Sequence, residues 1–416
     1  MHVSSEQKLT VASGGGSAAL ADPKERPALA IISGQPTPYR LHFLGRVARE
    51  LSEVQLYSVF THEGGDNAWK VAPPQEISPV LFGPGEDARN QDKLKYAWRE
   101  WRRGGRVIRW MKEAGINAVL LVGYNDPGRL RILRYCGQLG IPCFLFGDSN
   151  IAGEHVSGIK GAVKRLIVGR VVKRCAGVLP CGSMGRKYFM KYGARAEQIF
   201  LCPYEPDYAL IASVTQEQVR GAMERFGLVI GRRRIVFSGR LTRVKRPDLV
   251  VDAFVKIAEA RPRWDLLMLG DGDLRPSLEQ RIPSSLRQRV VFTDFINDQA
   301  TVSALYRACD VLVLPSDFEP WALVVNEAAA AGLAIVATDK VGAAAELVRE
   351  GINGFIFPAG DLQKLTDRLL EVTDEPRIEQ LKANSAGVLT DWRVAADPVN
   401  GLRQALRSCG VVPQTH

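Results

Sequence analysis

Short, almost uninterrupted apolar runs alternate with longer amphipathic segments along this chain, and that alternation leaves few folds open. In the second half the apolar runs are RIVFSG (234–239), WDLLMLG (264–270), RVVFTDF (289–295), VLVLPS (311–316) and LAIVAT (333–338). Runs this short, apolar at consecutive positions and rich in β-branched residues, describe strands buried on both faces. Between them RPDLVVDAFVKIAEA, LRPSLEQRI, QATVSALYRAC and ALVVNEAAAAG read as helices. Buried strands with helical crossovers make a parallel sheet covered on both sides. The first half repeats the pattern in ALAIISG (28–34), VQLYSVF (54–60), INAVLLVG (116–123), IPCFLFGDS (141–149), GVLPCGS (177–183) and QIFLCP (198–203). The fold class is therefore α/β: two Rossmann-like, doubly wound parallel-sheet domains facing across a cleft. Ligands of open α/β sheets bind outside the carboxyl ends of the strands, which makes the cleft the expected site.

The join is expected in PYEPDYALIAS (203–213), rich in Pro and polar residues. This divides the chain into a disordered tail (1–26), a first domain (27–207), a second domain (208–384) and a helical segment (385–416) that packs back on the first domain. No apolar run reaches the roughly 18–20 residues that span a bilayer. The tract VASGGGSAAL lacks the leucine-rich core of a secretory leader. Seven cysteines, odd in number and without CxxC, fit a reducing cytoplasm better than a disulfide framework. The five histidines show no HxxxH or HExxH spacing, so no metal site is expected.

Two segments carry the chemistry. In SGRLTRVKRPD (238–248) a strand ends at Ser238–Gly239, and Arg240 and Lys245 follow on a loop that enters a helix near Pro247. Two cations at a strand's carboxyl end suit a diphosphate; alone, the segment could equally be a solvated basic loop. In DFEPWALVVNEAAAAG (317–332), Glu319 follows a strand and Glu327 lies eight positions on, inside the next helix. Ionised carboxylates suit sugar hydroxyls, since each accepts from two donors. The bland alternative is one helix-terminal and one solvated Glu, against which Pro320, Trp321 and the small AAAAG face argue.

Together these segments resemble glycosyltransferase family 4, of the GT-B fold. The likeness covers most of the second domain in order: GRLTRVKRPD, LMLGDGDLR, VVFTDFINDQ, LYRACDVLVLPSDFEPWALVVNEAAAAG and ATDKVGAAAELVREGINGFIFPAGD. In the first domain it is thinner, resting on ISGQPTPYR and VLPCGSMGRKYFMKYGA. The resemblance implies an enzyme that moves a hexose or N-acetylhexosamine from a UDP- or GDP-sugar to a glycan, lipid-linked or other glycoconjugate acceptor. It implies retention of anomeric configuration, with no cofactor and no required metal. Arg240 and Lys245 would hold the donor diphosphate, Glu327 the ribose hydroxyls and Glu319 the donor-sugar hydroxyls. The backbone at Phe295–Ile296 would border the base, Gly239 and Gly34 would allow close backbone approach, and Trp321, Ala322 and Leu323 would border the sugar. The catalytic set is Arg240, Lys245 and Glu319.

The sequence departs from the family pattern in three places. Trp321 and Ala322 stand where Phe and Gly are frequent. Where many members carry a first-domain histidine, Tyr124, Asn125 and Asp126 follow INAVLLVG. PYEPDY (203–208) replaces the usual Asn-Gly-Val-Asp type of hinge. Asp271-Gly272-Asp273 imitates a metal-binding DxD, but a glycine turn directly after a strand is the simpler reading. Gly270 and Gly272 begin a GxG that Arg275 interrupts, so no dinucleotide fingerprint is present. His155 is read as a surface residue.

The formal net charge is +10, which favours an anionic partner. Residues 93–112 hold eight bases and one acid with Trp98, Trp101 and Trp110 interleaved; residues 158–174 hold six bases and no acid. Such segments are expected to meet an anionic membrane surface, placing the protein in the cytoplasm, peripheral to the inner face of the plasma membrane. The alternative is a pair of surface helices whose tryptophans pack inward. Nucleic acid is disfavoured, because the cleft carboxylates would repel a phosphate backbone. Two other functions stay open on sequence: another GT-B enzyme, such as a sugar-nucleotide epimerase or a phosphorylase, and a non-catalytic nucleotide-sugar-binding protein.

Overall fold

The computed structural model describes residues 26–64, 71–86, 93–124 and 126–414. Of the expected tail only Arg26 is among them, and Asn125 also lies outside the described residues.

The first parallel sheet contains β1 (Ala28–Ser33), β2 (Gln55–Phe60), β3 (Pro79–Leu81), β4 (Ile116–Val122), β5 (Cys143–Gly147) and β6 (Gly177–Pro180), in the order β3-β2-β1-β4-β5-β6. The second contains β7 (Arg233–Ser238), β8 (Trp264–Leu269), β9 (Val290–Phe292), β10 (Val311–Leu314), β11 (Ala334–Thr338) and β12 (Gly354–Phe357), in the order β12-β11-β10-β7-β8-β9. Each sheet thus reverses direction beside its first strand, the doubly wound topology whose switch point opens a crevice at the carboxyl ends. The expected strand at 198–203 is absent; Ile199 makes one bridge to Val178. The next amides still reach the edge, Phe200 to the Val178 carbonyl and Cys202 to the Pro180 carbonyl. Pro180 has no N–H to give back, so the ladder cannot close.

Helix α1 (Pro38–Glu50) covers one face of the first sheet, with Leu44 and Val47 against Leu29, Ile31 and Leu120. Helices α2 (Ala97–Glu113), α3 (Pro127–Leu139), α4 (Gly158–Arg174) and α5 (Ser183–Lys191) cover the other. There Val107, Met111, Ile132 and Val172 meet Ala30, Ile32, Val119 and Leu121. Successive strand residues feed opposite cores, which is why the strand runs are apolar throughout.

The second domain adds α6 (Tyr208–Ser213), α7 (Gln216–Arg225), α8 (Pro247–Ile257), α9 (Arg275–Gln280), α10 (Gln299–Arg307), α11 (Leu323–Ala330), α12 (Ala344–Leu347) and α13 (Leu362–Val372). The boundary expected at 384/385 falls inside a continuous helix, α14 (Glu375–Ala395). Its apolar positions Ile378, Leu381, Val388 and Leu389 keep helical spacing straight across that point. Helix α15 (Pro398–Ser408) then lies on the first domain: a Cβ on Gly401 would stand 1.8 Å from the Leu201 carbonyl oxygen. Arg403 reaches Glu53 at 3.5 Å, and Arg46 binds Asp397 at 2.8 Å. The chain therefore passes between the domains twice, near 203–207 and again near 396–398.

Candidate functional site

The second domain's share of the site begins where β7 and β8 end. Gly270 has φ +129°, and a Cβ there would lie 2.3 Å from the Gly239 carbonyl oxygen; one on Gly272 would lie 2.6 Å from that of Leu241. Only glycine lets the two exit loops lie this close. Asp271-Gly272-Asp273 is accordingly a packing turn, with Asp271 4.0 Å from Arg275. The paired loops form one wall of a cavity of about 730 Å³ that also has walls from α10, α11 and the first domain. Of the expected donor residues, Gly239, Arg240, Phe295, Ile296, Leu323 and Glu327 line it together.

Glu327 is the most unusual group in this cavity. Its carboxylate accepts from Gln299 Nε2 at 2.8 Å and lies 3.2 Å from the Tyr306 hydroxyl, which in turn lies 2.7 Å from Ser238 Oγ. Burial pushes its pKa up to about 7, against the lowering effect of those hydrogen bonds. Folding thus favours its protonated form. Its contribution to stability is lost as pH rises from the ordinary carboxyl range through about 7. Hydroxyl donors from a ligand would supply the solvation that the carboxylate lacks. Arg240, by contrast, is exposed and has no ion pair among the described residues.

Lys245 and Glu319 are together but outside the walls of this cavity. The Lys245 ammonium pairs with Glu319, whose Oε1 also accepts from Ser316 Oγ at 2.9 Å. Glu319 is buried. Trp321 is also displaced from its expected place. Its indole is buried, its Nε1 is 3.0 Å from both the Tyr204 carbonyl oxygen and Asn326 Oδ1, and its ring lies 5.9 Å from that of Trp392. It fills the seam between the domains instead of facing the large cavity. Ala322 caps α11 with φ 78° and ψ 80°, a left-handed conformation that costs a side-chain-bearing residue about 1 kcal/mol. A glycine would adopt that geometry without this cost.

Gly34 follows β1, its carbonyl accepting from the His62 amide at 2.7 Å, and does not line the cavity. The first domain instead faces it with Pro38, Tyr39 and His42 of α1. His42 lies 3.7 Å from both Glu205 and Asp207, and burial pushes its pKa down against the pull of Asp207. This residue carries no signal in the sequence. A lone histidine on an amphipathic helix has no spacing signature, and its partners are more than 160 positions away. Tyr124 is spent on a 3.0 Å contact with the Tyr188 hydroxyl, and Asp126 caps α3 through the Arg129 amide. His155 is exposed on the surface.

Residues 232–375 match the family model described as Glycosyl transferases group 1. Over 126 residues the chain is 38% identical to an uncharacterized glycosyltransferase of Methanocaldococcus jannaschii, covering 30% of this chain and 32% of that protein. It is 31% identical over 172 residues to the lipopolysaccharide core biosynthesis mannosyltransferase LpsB of Rhizobium meliloti, covering 39% and 48%. The chain thus spans under half the length of these curated relatives. Anabaena HepE, solved in complex with UDP and glucose, superposes with a TM-score of 0.69 at 19% identity over 92% of this chain and 99% of that one. At that identity the shared property is the fold, which is the GT-B architecture.

Proposed function

Starting from the match of residues 232–375 to the group 1 glycosyl transferases, we propose that this protein moves a hexose or N-acetylhexosamine from a UDP- or GDP-sugar to a glycan or lipid-linked acceptor. The transfer retains anomeric configuration and needs no metal. One observation carries this reading: a cavity of about 730 Å³ at the carboxyl ends of the second sheet holds a desolvated Glu327 and an Arg240 that has no ion pair among the described residues. Its size suits a nucleotide sugar. The complex of HepE with UDP supports the same ligand class. Arg240 meets the diphosphate and stabilises charge on the leaving group, and Lys245 shares its charge between Glu319 and that diphosphate. Glu327 takes the ribose hydroxyls, Glu319 the sugar hydroxyls, and the Phe295–Ile296 backbone borders the base. Gly34 opens the loop leading to Pro38 and His42, and closure of the cleft carries that loop toward the donor.

Calorimetric titration with UDP and with GDP, EDTA present throughout, tests this. One nucleotide should bind at least about tenfold more tightly than the other, a difference of roughly 1.4 kcal/mol. Affinity should rise as pH passes through about 7, because the carboxylate form of Glu327 accepts hydroxyls better than the acid does. Failure of both nucleotides to bind under these conditions overturns the metal-independent diphosphate site.

The acceptor side is assigned to a membrane. Helices α2, α3 and α4 lie on one face of the first sheet and contain fifteen bases and two acids. That excess is larger than the +10 of the whole chain, so the remainder of the protein is net acidic. Trp98 is 69% exposed and Ile159 85%, with Trp101, Val163, Leu166 and Ile167 also exposed on this layer. Trp110 instead turns inward against Tyr57 and Phe82. Arg102, Arg106, Arg109, Lys112 and Arg131 line a groove of about 430 Å³ between α2 and α3. Among the described residues no helix is long and apolar enough to cross a membrane. The layer docks on the anionic inner face of the plasma membrane, each base near it contributing about 1 kcal/mol. Sedimentation with phosphatidylglycerol-rich vesicles should capture the protein at low salt, and Ile159→Asp with Ile167→Asp should release it. Binding indifferent to anionic lipid and to salt sinks the assignment.

A further inference from the structure

One side chain, Asn150, makes two hydrogen bonds across the cleft between the domains. It follows β5 in the first domain and is 2% exposed. Its Oδ1 accepts from the amides of Ala152 and Gly153 at 3.0 and 3.3 Å, capping a short turn of its own domain. Its Nδ2 crosses the cleft and donates to the carbonyls of Glu319 at 3.0 Å and Pro320 at 2.9 Å. All four hydrogen-bonding positions of the amide are used, and the two ends are not interchangeable: the acceptor must face the amides and the donor the carbonyls.

The surroundings are cut to admit this contact. A Cβ on Gly342 would lie 2.2 Å from the Pro320 carbonyl oxygen and 3.2 Å from Asn150 Nδ2. A Cβ on Gly153 would lie 2.5 Å from the Phe318 ring. The gripped segment is held from the second domain by the Glu319 amide on the Lys340 carbonyl and by the Gly342 and Ala343 amides on the Glu319 and Trp321 carbonyls. It then runs directly into the left-handed Ala322, a conformation that persists only where its neighbours hold it.

We propose that Asn150 is a positioning residue that makes the placement of the 319–322 segment, and with it the Glu319–Lys245 pair, depend on contact between the two domains. In its kinetic consequence this rests on the glycosyl-transfer reading. When the cleft opens, the Glu319 and Pro320 carbonyls lose the Asn150 amide, and the segment keeps only the hydrogen bonds of its own domain. When it closes, the sugar-side carboxylate is set in place by the domain that carries the acceptor. A donor bound in the open cleft is then protected from wasteful attack by water, because the sugar-side groups are not yet assembled.

Asn150→Asp tests the coupling. It keeps an acceptor for the Ala152 and Gly153 amides but turns a second acceptor toward two carbonyls. Hydrogen exchange of residues 317–325 and 340–344 should quicken at least about tenfold, a loss of roughly 1.4 kcal/mol of local protection. The 238–241 segment should be unchanged. UDP or GDP affinity should stay within about threefold, while kcat falls about 100-fold at nearly constant donor KM, the scale of a 1 Å misplacement. Unchanged exchange in those segments overturns the grip. Quickened exchange with native kcat, or a parallel fall in nucleotide affinity and kcat, overturns the positioning role. If the wild-type chain turns over no nucleotide sugar, the transfer reading fails separately, and exchange still decides whether Asn150 holds the segment.

Discussion

Arg240→Ala is expected to slow turnover by roughly two to three orders of magnitude, about 2.7–4 kcal/mol in the barrier, with little change in the unfolding midpoint. The asymmetry comes from its setting. Arg240 lines the large cavity, is exposed and has no ion pair among the described residues, so the folded protein loses almost nothing with it. The leaving diphosphate loses a charge-assisted contact as negative charge develops. Lys245→Ala makes the informative contrast. Removing that ammonium strands the buried Glu319 carboxylate, so both rate and stability should fall. Steady-state kcat with the preferred nucleotide sugar, alongside thermal melts of both variants, checks the pair. A near-native kcat for Arg240→Ala at saturating donor refutes its role on the leaving group.

Trp321→Ala should cost about 3–5 kcal/mol of stability, the range for deleting a buried aromatic ring. The ring is 3% exposed, its N–H is shared between the Tyr204 carbonyl and Asn326, and it lies against Trp392. The loss should therefore appear in the seam between the domains. Trp321→Phe retains most of the apolar volume but leaves buried acceptors without their donor, for a smaller cost of about 1–3 kcal/mol. Urea unfolding of both variants is the measurement. If Trp321→Ala stays stable and instead loses discrimination among donor sugars, the ring belongs to the sugar pocket after all.

Both sheets were legible because each core strand is buried on two faces, which forces consecutive apolar residues that no surface strand needs. Residues 79–81 and 354–357 escaped because three or four residues at or near a sheet edge leave too short a pattern. The cluster of Gly239, Arg240 and Glu327 was legible because a strand end, a glycine turn and a helix fix where such side chains must point. Glu319 and Trp321 belong to the same motif, yet their burial depends on partners distant in sequence: Lys245 for one, Tyr204 and Trp392 for the other. His42 and Asn150 gave no signal for the same reason. The partners of His42 lie in the linker more than 160 positions away, the cross-cleft partners of Asn150 lie in the second domain, and nothing in the local spacing of either residue encodes those contacts.

The double passage of the chain between the domains also fixes how the molecule can flex. Arg46 of α1 holds Glu205 beside the first passage at 2.5 Å and Asp397 beside the second at 2.8 Å, so both strands are pinned to one helix. A body joined by a single tether can swivel and twist in any direction. Two adjacent pins remove those freedoms and leave rotation about the line through them, like a door on its hinges. The cleft opposite that line then opens and shuts along one arc. Whatever the two domains carry on their facing edges meets in the same register at every closure.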